Sequence, residues 1–330
     1  MALTVGLTYD LKAEYLAAGY GAEAVAEFDS KETIDALEAA IASLGHRVER
    51  IGGARALAER LVAGDRWDLV FNIAEGLCGR CREAQVPAIL ELYGVPYTFS
   101  DPLVLAATLD KAVAKRLVQS ARIRTPKFAV VRDMAGVGAV KIPFPLFAKP
   151  IAEGSGKGVE EKSVAKDTKD LARICSWLLA RFDEPVLVEE FLPGREFTAG
   201  ILGTRAAARV VGVMEVEIVA TKRGGVYTRI NKDECEKLVR YTKLDAGTLR
   251  KSIEKLSLAA YRTLECRDAA RVDVRCDRRG RPSFIEINSL PGLHPTHSDL
   301  PMLAEAEGMS YNSLIGAIVE SASARINKRP

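Results

Sequence analysis

Hydrophobic and polar positions alternate with two different periods along this chain, and each change of period marks an element. An apolar run from Leu3 to Leu7 reads as a strand, and Ile34, Leu37, Ile41 and Leu44 return at the three-and-four spacing of one helix face. Asp29 with Glu32 has the form of a capping box ahead of that helix, and Gly45 the form of its stop signal. A short strand near Val48, a helix from about Ala54 to Val62 and the run Asp68 to Asn72 come next. The order β-α-β-α-β predicts a parallel α/β lobe over residues 1–100.

From Asp101 onward the pattern predicts two further lobes, 101–185 and 186–330. A helix is expected from about Asp110 to Ala121, closed by Thr125-Pro126, then a strand from Leu146 to Lys149 and a glycine-rich loop. A helix near Lys166 to Phe182 would bury Leu171, Ile174, Leu178 and Phe182, and another around Ser313 to Ala324 closes the chain. Between them V-D-V and F-I-E-I-N alternate with period two. Read as strands joined by a basic, glycine-containing turn, they set Asp273, Glu286 and Asn288 on one face.

Composition narrows the function classes. A chain of 330 residues with 48% hydrophobic and 28% charged positions is an ordinary soluble protein of two or three lobes. The net charge of +3, with no long basic run, gives little support to nucleic-acid or membrane-surface partners. The opening M-A-L-T-V-G-L-T-Y-D lacks a basic n-region, and no uninterrupted apolar run of about 18 residues occurs, so a cytoplasmic protein is expected. Most of its scattered cysteines, Cys78, Cys81, Cys175, Cys235, Cys266 and Cys276, are then expected as free thiols. Only Cys78-Gly-Arg-Cys81 is closely spaced, and a zinc site would need a second Cys or His pair.

Three oxygen ligands on one sheet face suit Mg²⁺, which is held by a few carboxylates together with substrate phosphates, and Arg271 beside them fits a phosphate partner. Solvated strand carboxylates would look the same, so the triplet alone leaves both readings open. Between Lys149 and Val159, K-P-I-A-E-G-S-G-K-G-V would expose backbone N–H groups to a polyanion. It matches neither a Walker A motif nor G-x-G-x-x-G, and glycine clusters also mark plain turns. Lys111 and Lys149 could reach phosphates as point charges. Glu189, Glu190 and Glu196, in V-L-V-E-E-F-L-P-G-R-E-F-T, could accept bonds from an adenine amine and ribose hydroxyls; taken singly they would be surface charges.

Taken together and in order, Asp110-Lys111, F-P-L-F-A-K-P-I-A-E-G-S-G-K-G-V, V-L-V-E-E-F-L-P-G-R-E-F-T, R-V-D-V and F-I-E-I-N-S-L-P-G-L resemble the ATP-grasp superfamily, and within it the D-alanine-D-alanine ligases. The resemblance covers roughly residues 90 to 325. It implies an α/β and α+β architecture, the ATP-grasp fold, in which an amino-terminal parallel α/β substrate lobe precedes two α+β lobes that sandwich ATP. Glu189, Glu190 and Leu192 would lie at the adenine and Glu196 at the ribose. Lys111 and Lys149 would meet phosphates, under a loop containing Glu153, Gly154, Ser155, Gly156 and Gly158, with Lys232 near the γ-phosphate. Asp273, Glu286 and Asn288 would bind two Mg²⁺ ions, for which Mn²⁺ could stand in. As exposed metal ligands, Asp273 and Glu286 are expected to tolerate substitution without loss of the fold. Arg271 would stabilise the transferring phosphoryl group or the tetrahedral intermediate, with Ser155 and Lys232 also catalytic, while Gly292, His297 and Ser298 would face substrate. The implied activity is ATP-dependent carboxylate-amine ligation through an acyl phosphate, on small amino-acid-like substrates. Such ligases are commonly dimers through their amino-terminal lobes, which keeps a homodimer open.

The chain departs from the ligase pattern where substrates bind. V-G-L-T-Y-D-L-K-A-E-Y stands where the ligases carry a glutamate for the first substrate's amine, and N-I-A-E-G-L-C-G-R-C-R-E-A-Q-V-P replaces H-G-x-x-G-E-D-G. Asp233 stands for the loop tyrosine and Gly156 for a second serine; L-H-P-T-H-S-D-L-P is one residue longer before Ser298, where His294 and His297 change the surroundings. Selection rests on polar contacts, so these changes predict a different amino-acid or peptide substrate, with Tyr9, Asp10, Asp29 and Glu83 as candidate determinants. Three other readings stay open: a D-alanine-D-alanine ligase proper, a small-molecule kinase, and a non-catalytic nucleotide-binding regulator.

Overall fold

In the computed structural model, which describes residues 2–154, 156–218 and 239–326, β1 (Thr4–Thr8) lies between β2 (Arg47–Gly52) and β3 (Leu69–Asn72). All pairings in this sheet are parallel, as the β-α-β-α-β order requires. Helices α1 (Lys12–Ala17), α2 (Lys31–Ser43) and α3 (Ala54–Val62) make the connections. Ile34, Leu37 and Ile41 are buried on α2, and Gly45, at φ +87°, ends it. The cap is not the expected one. Ser30 occupies it, accepting the Thr33 N–H at 3.4 Å, because the Asp29 backbone is still engaged with Asp10 and Lys12.

After α4 (Gln85–Leu92), Asp101 caps α5 (Pro102–Leu109) and Asp110 caps α6 (Lys111–Ser120), its carboxylate accepting the N–H groups of Ala112 and Val113 at 3.0 Å. A second, antiparallel sheet has the order β4 (Phe128–Val131), β7 (Val186–Glu190), β5 (Leu146–Pro150), β6 (Val164–Ala165). Helix α7 (Thr168–Phe182) covers it through buried Leu171, Ile174 and Leu178, with Phe182 half-buried.

The third sheet is antiparallel, in the order β10 (Val239–Lys243), β9 (Arg209–Ile218), β8 (Glu196–Leu202), β11 (Ala269–Cys276), β12 (Pro282–Asn288). Period-two alternation divides β11 between two environments. Val272, Val274 and Cys276 enter a core with Phe197, Phe284 and Tyr261, the last from α8 (Thr248–Thr263), while Arg271, Asp273 and Arg275 line the opposite side. The expected hairpin forms, with Asp273 paired to Glu286 and Arg271 to Asn288. Ile285 is the extra residue of a bulge, since the next pair is Val274 with Phe284.

Helices α9 (Asp299–Ala306) and α10 (Tyr311–Ile326) return the chain to the first lobe. Leu314, Ile315 and Ile318 of α10 share one core with Val5, Ile34, Leu37 and Phe71. Nearby, fully buried Asp268 accepts bonds from Phe99 N–H at 2.7 Å, Thr204 at 3.1 Å and Ser321 at 2.8 Å, and pairs with Arg325. Among the described residues, no helix is long and apolar enough to cross a membrane.

Candidate active site

A cavity of about 410 Å³ is lined by the second and third sheets and by segments of the first lobe outside its sheet. Lys111, Lys149, Glu153, Gly154, Gly156, Glu189, Glu190, Leu192 and Glu196 all line it, and so do Arg271, Asp273, Glu286, Asn288, Gly292, His297 and Ser298. Gly158 lies behind this wall: its φ of +69° and the proximity of Pro150 and Phe182 leave no room for a side chain. Ser155 and Lys232 lie outside the described residues.

At the centre Lys149 donates to Glu286 at 2.9 Å, and Lys111 reaches the same oxygen at 3.9 Å while donating to the Glu153 carbonyl at 2.6 Å. Burial alone would raise the Glu286 pKa, but Lys149 and then Lys111 hold it far below the usual carboxylate range. Asp273, opposite, is raised by burial, with Arg271 pulling it down and Glu286 pushing it up. The side chains of Asp273 and Glu286 are each only 20% exposed, which corrects the expectation of freely exposed ligands. The donor set on this face, two carboxylates and an amide, offers oxygen only and fits Mg²⁺. Among the described residues no three His, Cys, Asp or Glu side chains gather as a metal cage, so a cation here would take the rest of its shell from phosphate and water.

Beside these groups, Glu189 is enclosed between two lysines, at 2.8 Å from Lys115 and 3.6 Å from Lys149. Burial opposes its ionisation, but Lys115 and Lys149 outweigh that and keep it charged. Lys115 escaped the sequence reading although its spacing carried a signal: it lies one helical turn from Lys111, on the same buried side of α6. Glu196 accepts from Arg275 at 3.0 Å, whose guanidinium lies over the Phe191 ring. Glu190 is exposed at the end of β7.

The glycine-rich loop is already held. Glu27, from the first lobe, accepts the Gly154 N–H at 2.6 Å and pairs with Arg82 at 3.0 Å and Lys157 at 3.3 Å; Arg82 also donates to the Ala152 carbonyl at 3.0 Å. Lys157 reaches back to Glu153 at 2.8 Å. On the same wall stand Glu75 and Glu83, which have no hydrogen-bond or ion-pair partner among the described residues. Burial pushes Glu75 well up, and Glu83 up to about 7. Asp29 lines the cavity as well. Asp10 does not, because its carboxylate is spent on the Tyr15 hydroxyl and the Gly76 N–H.

At the far end Ser298 accepts the His294 N–H at 2.9 Å, and a side chain at Gly292 would collide with the Ser298 hydroxyl. His294 Nδ1 accepts from the backbone N–H groups of Thr296 and His297, so this ring organises its own turn, while His297 faces the cavity.

The family described as D-ala D-ala ligase C-terminus matches residues 117–320. The chain is 33% identical to the uncharacterized protein y4sG of Sinorhizobium fredii, over 88% of this chain and 87% of that one. It is 35% identical to a D-alanine–D-alanine ligase of Bordetella petrii, over 83% and 81%. Among solved structures, a D-alanine–D-alanine ligase from Bacillus anthracis superposes with a TM-score of 0.76 at 22% identity, covering 99% of both chains. The VanG D-Ala:D-Ser ligase from Enterococcus faecalis gives a TM-score of 0.74 at 22% identity, covering 98% of this chain and 100% of that one. The fold is therefore the ATP-grasp fold.

Proposed function

Because the chain belongs to the D-alanine–D-alanine ligase family, we propose that it is an ATP-dependent carboxylate-amine ligase acting on an amino-acid-like pair other than two D-alanines. One observation carries the ligase reading. Lys111 and Lys149 converge on Glu286, which faces Asp273 across the strand pair, with Arg271 beside it in the same cavity. A triphosphate needs such a mixed set, because phosphoryl transfer is catalysed almost entirely by positioning and by neutralising charge.

In this reading Glu190, Leu192 and Glu196 hold the nucleoside, with Glu189 locking the lysines beneath it. Lys111 and Lys149 hold the phosphates. Asp273, Glu286 and Asn288 would hold Mg²⁺, which would supply charge neutralisation at the phosphate oxygens. A donor carboxylate oxygen attacks the γ-phosphorus and the bond to ADP breaks, leaving an acyl phosphate. The acceptor's neutral amine nitrogen then attacks the acyl carbon; the bond to phosphate breaks, and one N–H proton goes to the departing phosphate. Arg271 faces the charge that develops in both steps. The loop held by Glu27 covers the cavity and limits hydrolysis.

The altered substrate ends support a changed pair. Two partnerless carboxylates, Glu75 and Glu83, line the wall where a substrate ammonium would relieve their burial, and Ser298 with His297 forms the other end. VanG shares the fold and is named a D-Ala:D-Ser ligase. The second reading, D-alanine–D-alanine ligation, is favoured by the 35% identity to the Bordetella petrii ligase. The test is ADP release with Mg²⁺-ATP against paired D- and L-amino acids and dipeptides, with mass detection of the product. Amide formed from pairs other than two D-alanines supports the first reading, and efficient D-alanyl-D-alanine supports the second. ADP formation that never responds to an amine would refute both.

A further inference from the structure

Arg271 is gripped from two sides. Its Nε and Nη2 donate to the two oxygens of Asp273 at 3.1 and 2.9 Å, and its Nη1 donates to Asp299 at 2.6 Å. Arg271 and Asp299 side chains are each 16% exposed, so both bonds lie largely out of water. Asp299 is the first residue of α9, directly after Ser298; it falls in the L-H-P-T-H-S-D-L-P stretch, where sequence reasoning assigned it no role.

We propose that Asp299 is a positioning residue for Arg271, the anion that keeps the guanidinium in place when a divalent cation takes its share of Asp273. The inference rests on the proposed role of Asp273 as a metal ligand. Each oxygen of Asp273 already accepts one arginine N–H, so an incoming cation must use the remaining lone pairs and share one negative charge with the guanidinium. Two cations drawing on one carboxylate repel each other. Glu286 is shared by Lys149 and Lys111 and makes no hydrogen bond to Arg271 among the described residues, so it does not fix the guanidinium in place. Asp299 supplies the missing anion from outside the metal face through a short charge-assisted bond. Without it, Arg271 leans on Asp273 alone and competes with the cation. A plainer role exists for an acidic residue here, since the first turn of a helix favours negative charge. That role predicts lost stability and no change in metal binding.

The full-length chain, as Asp299→Asn and Asp299→Glu, decides the matter. Mn²⁺ binding in the presence of ADP is followed by the loss of the free-ion EPR signal, alongside the Mg²⁺ dependence of turnover. For Asp299→Asn we expect Mn²⁺ affinity to fall by about tenfold or more, the usual cost of losing a residue that orients a metal's neighbours. The lost turnover should return in part at high Mg²⁺. Asp299→Glu, which keeps the charge, should recover most of the affinity, and it carries the test if the Asn protein folds poorly. Asp299→Asn with unchanged Mn²⁺ affinity overturns the inference, as does an Asp299→Glu variant weakened equally. If the wild-type protein binds no Mn²⁺ with ADP, the metal reading of Asp273 fails and this inference with it; wild-type binding with an unshifted Asn variant removes this inference alone.

Discussion

Asp273 and Glu286 are direct partners across the β11–β12 ladder, yet their surroundings drive their proton affinities apart, Glu286 down through its lysines and Asp273 up through burial. The two substitutions therefore differ. Asp273→Asn keeps the shape and one of the two acceptors, and Arg271 retains Asp299, so turnover should fall by about a hundredfold or more while the loss of stability stays smaller than that of Glu286→Gln. Glu286→Gln removes the main counter-charge of buried Lys149 and should lose about 3–5 kcal/mol in chemical denaturation. Equal stability of the two variants would contradict the assignment.

Lys115→Met tests the buried support beneath the proposed nucleoside end. Lys115 is fully enclosed and pairs with a Glu189 side chain that is 4% exposed, so its removal leaves a carboxylate sharing a single lysine. A loss of about 3 kcal/mol is expected, with weaker ATP binding by calorimetry. A variant as stable as wild type would mean that Glu189 can shed its charge at little cost.

Glu83 predicts a pH dependence. Burial raises it, Arg82 lowers it, Glu27 raises it and Lys111 lowers it, for a value of about 7 against the ordinary 4.5. The folded protein thus holds this proton more tightly than the unfolded chain does. Its stabilising contribution is complete below pH 4.5 and is lost as pH rises through about 7. Glu83→Gln should gain on wild type in thermal melts between pH 5 and 8, by up to about 3 kcal/mol. A constant difference across that range would remove Glu83 as the titrating group.

Glu27→Ala takes away the shared acceptor of Gly154, Arg82 and Lys157. Amide exchange at Gly154 and Gly156 should speed up, and the KM for ATP should rise by about tenfold, as expected when a closing loop loses its anchor. Unchanged exchange would show that the loop holds itself.

The hairpin was legible because strand alternation is local: once V-D-V and F-I-E-I-N are strands, sterics alone assign Asp273 and Glu286 to one face. Lys111 and Lys149 were legible for a similar reason, one at a helix start and one at a strand end. The pairs that hold these groups were not. Glu27 meets Arg82 across 55 positions and Gly154 across 127, and Arg271 meets Asp299 across 28, separations at which only tertiary packing, within a lobe or between lobes, decides who meets whom. The misplaced cap has the same origin, since Asp29 would be a good cap if Leu11 had not claimed its backbone.

The core shared by α10 with α2 and β1 also fixes when this protein can fold. Residues 311–326 leave the ribosome about 270 positions after α2, which at about 5–20 residues per second is some 15–50 seconds. Throughout that interval Ile34, Leu37 and Ile41 have no α10 to cover them. The amino-terminal lobe, synthesised before the other two, is thus completed only after both of them have emerged.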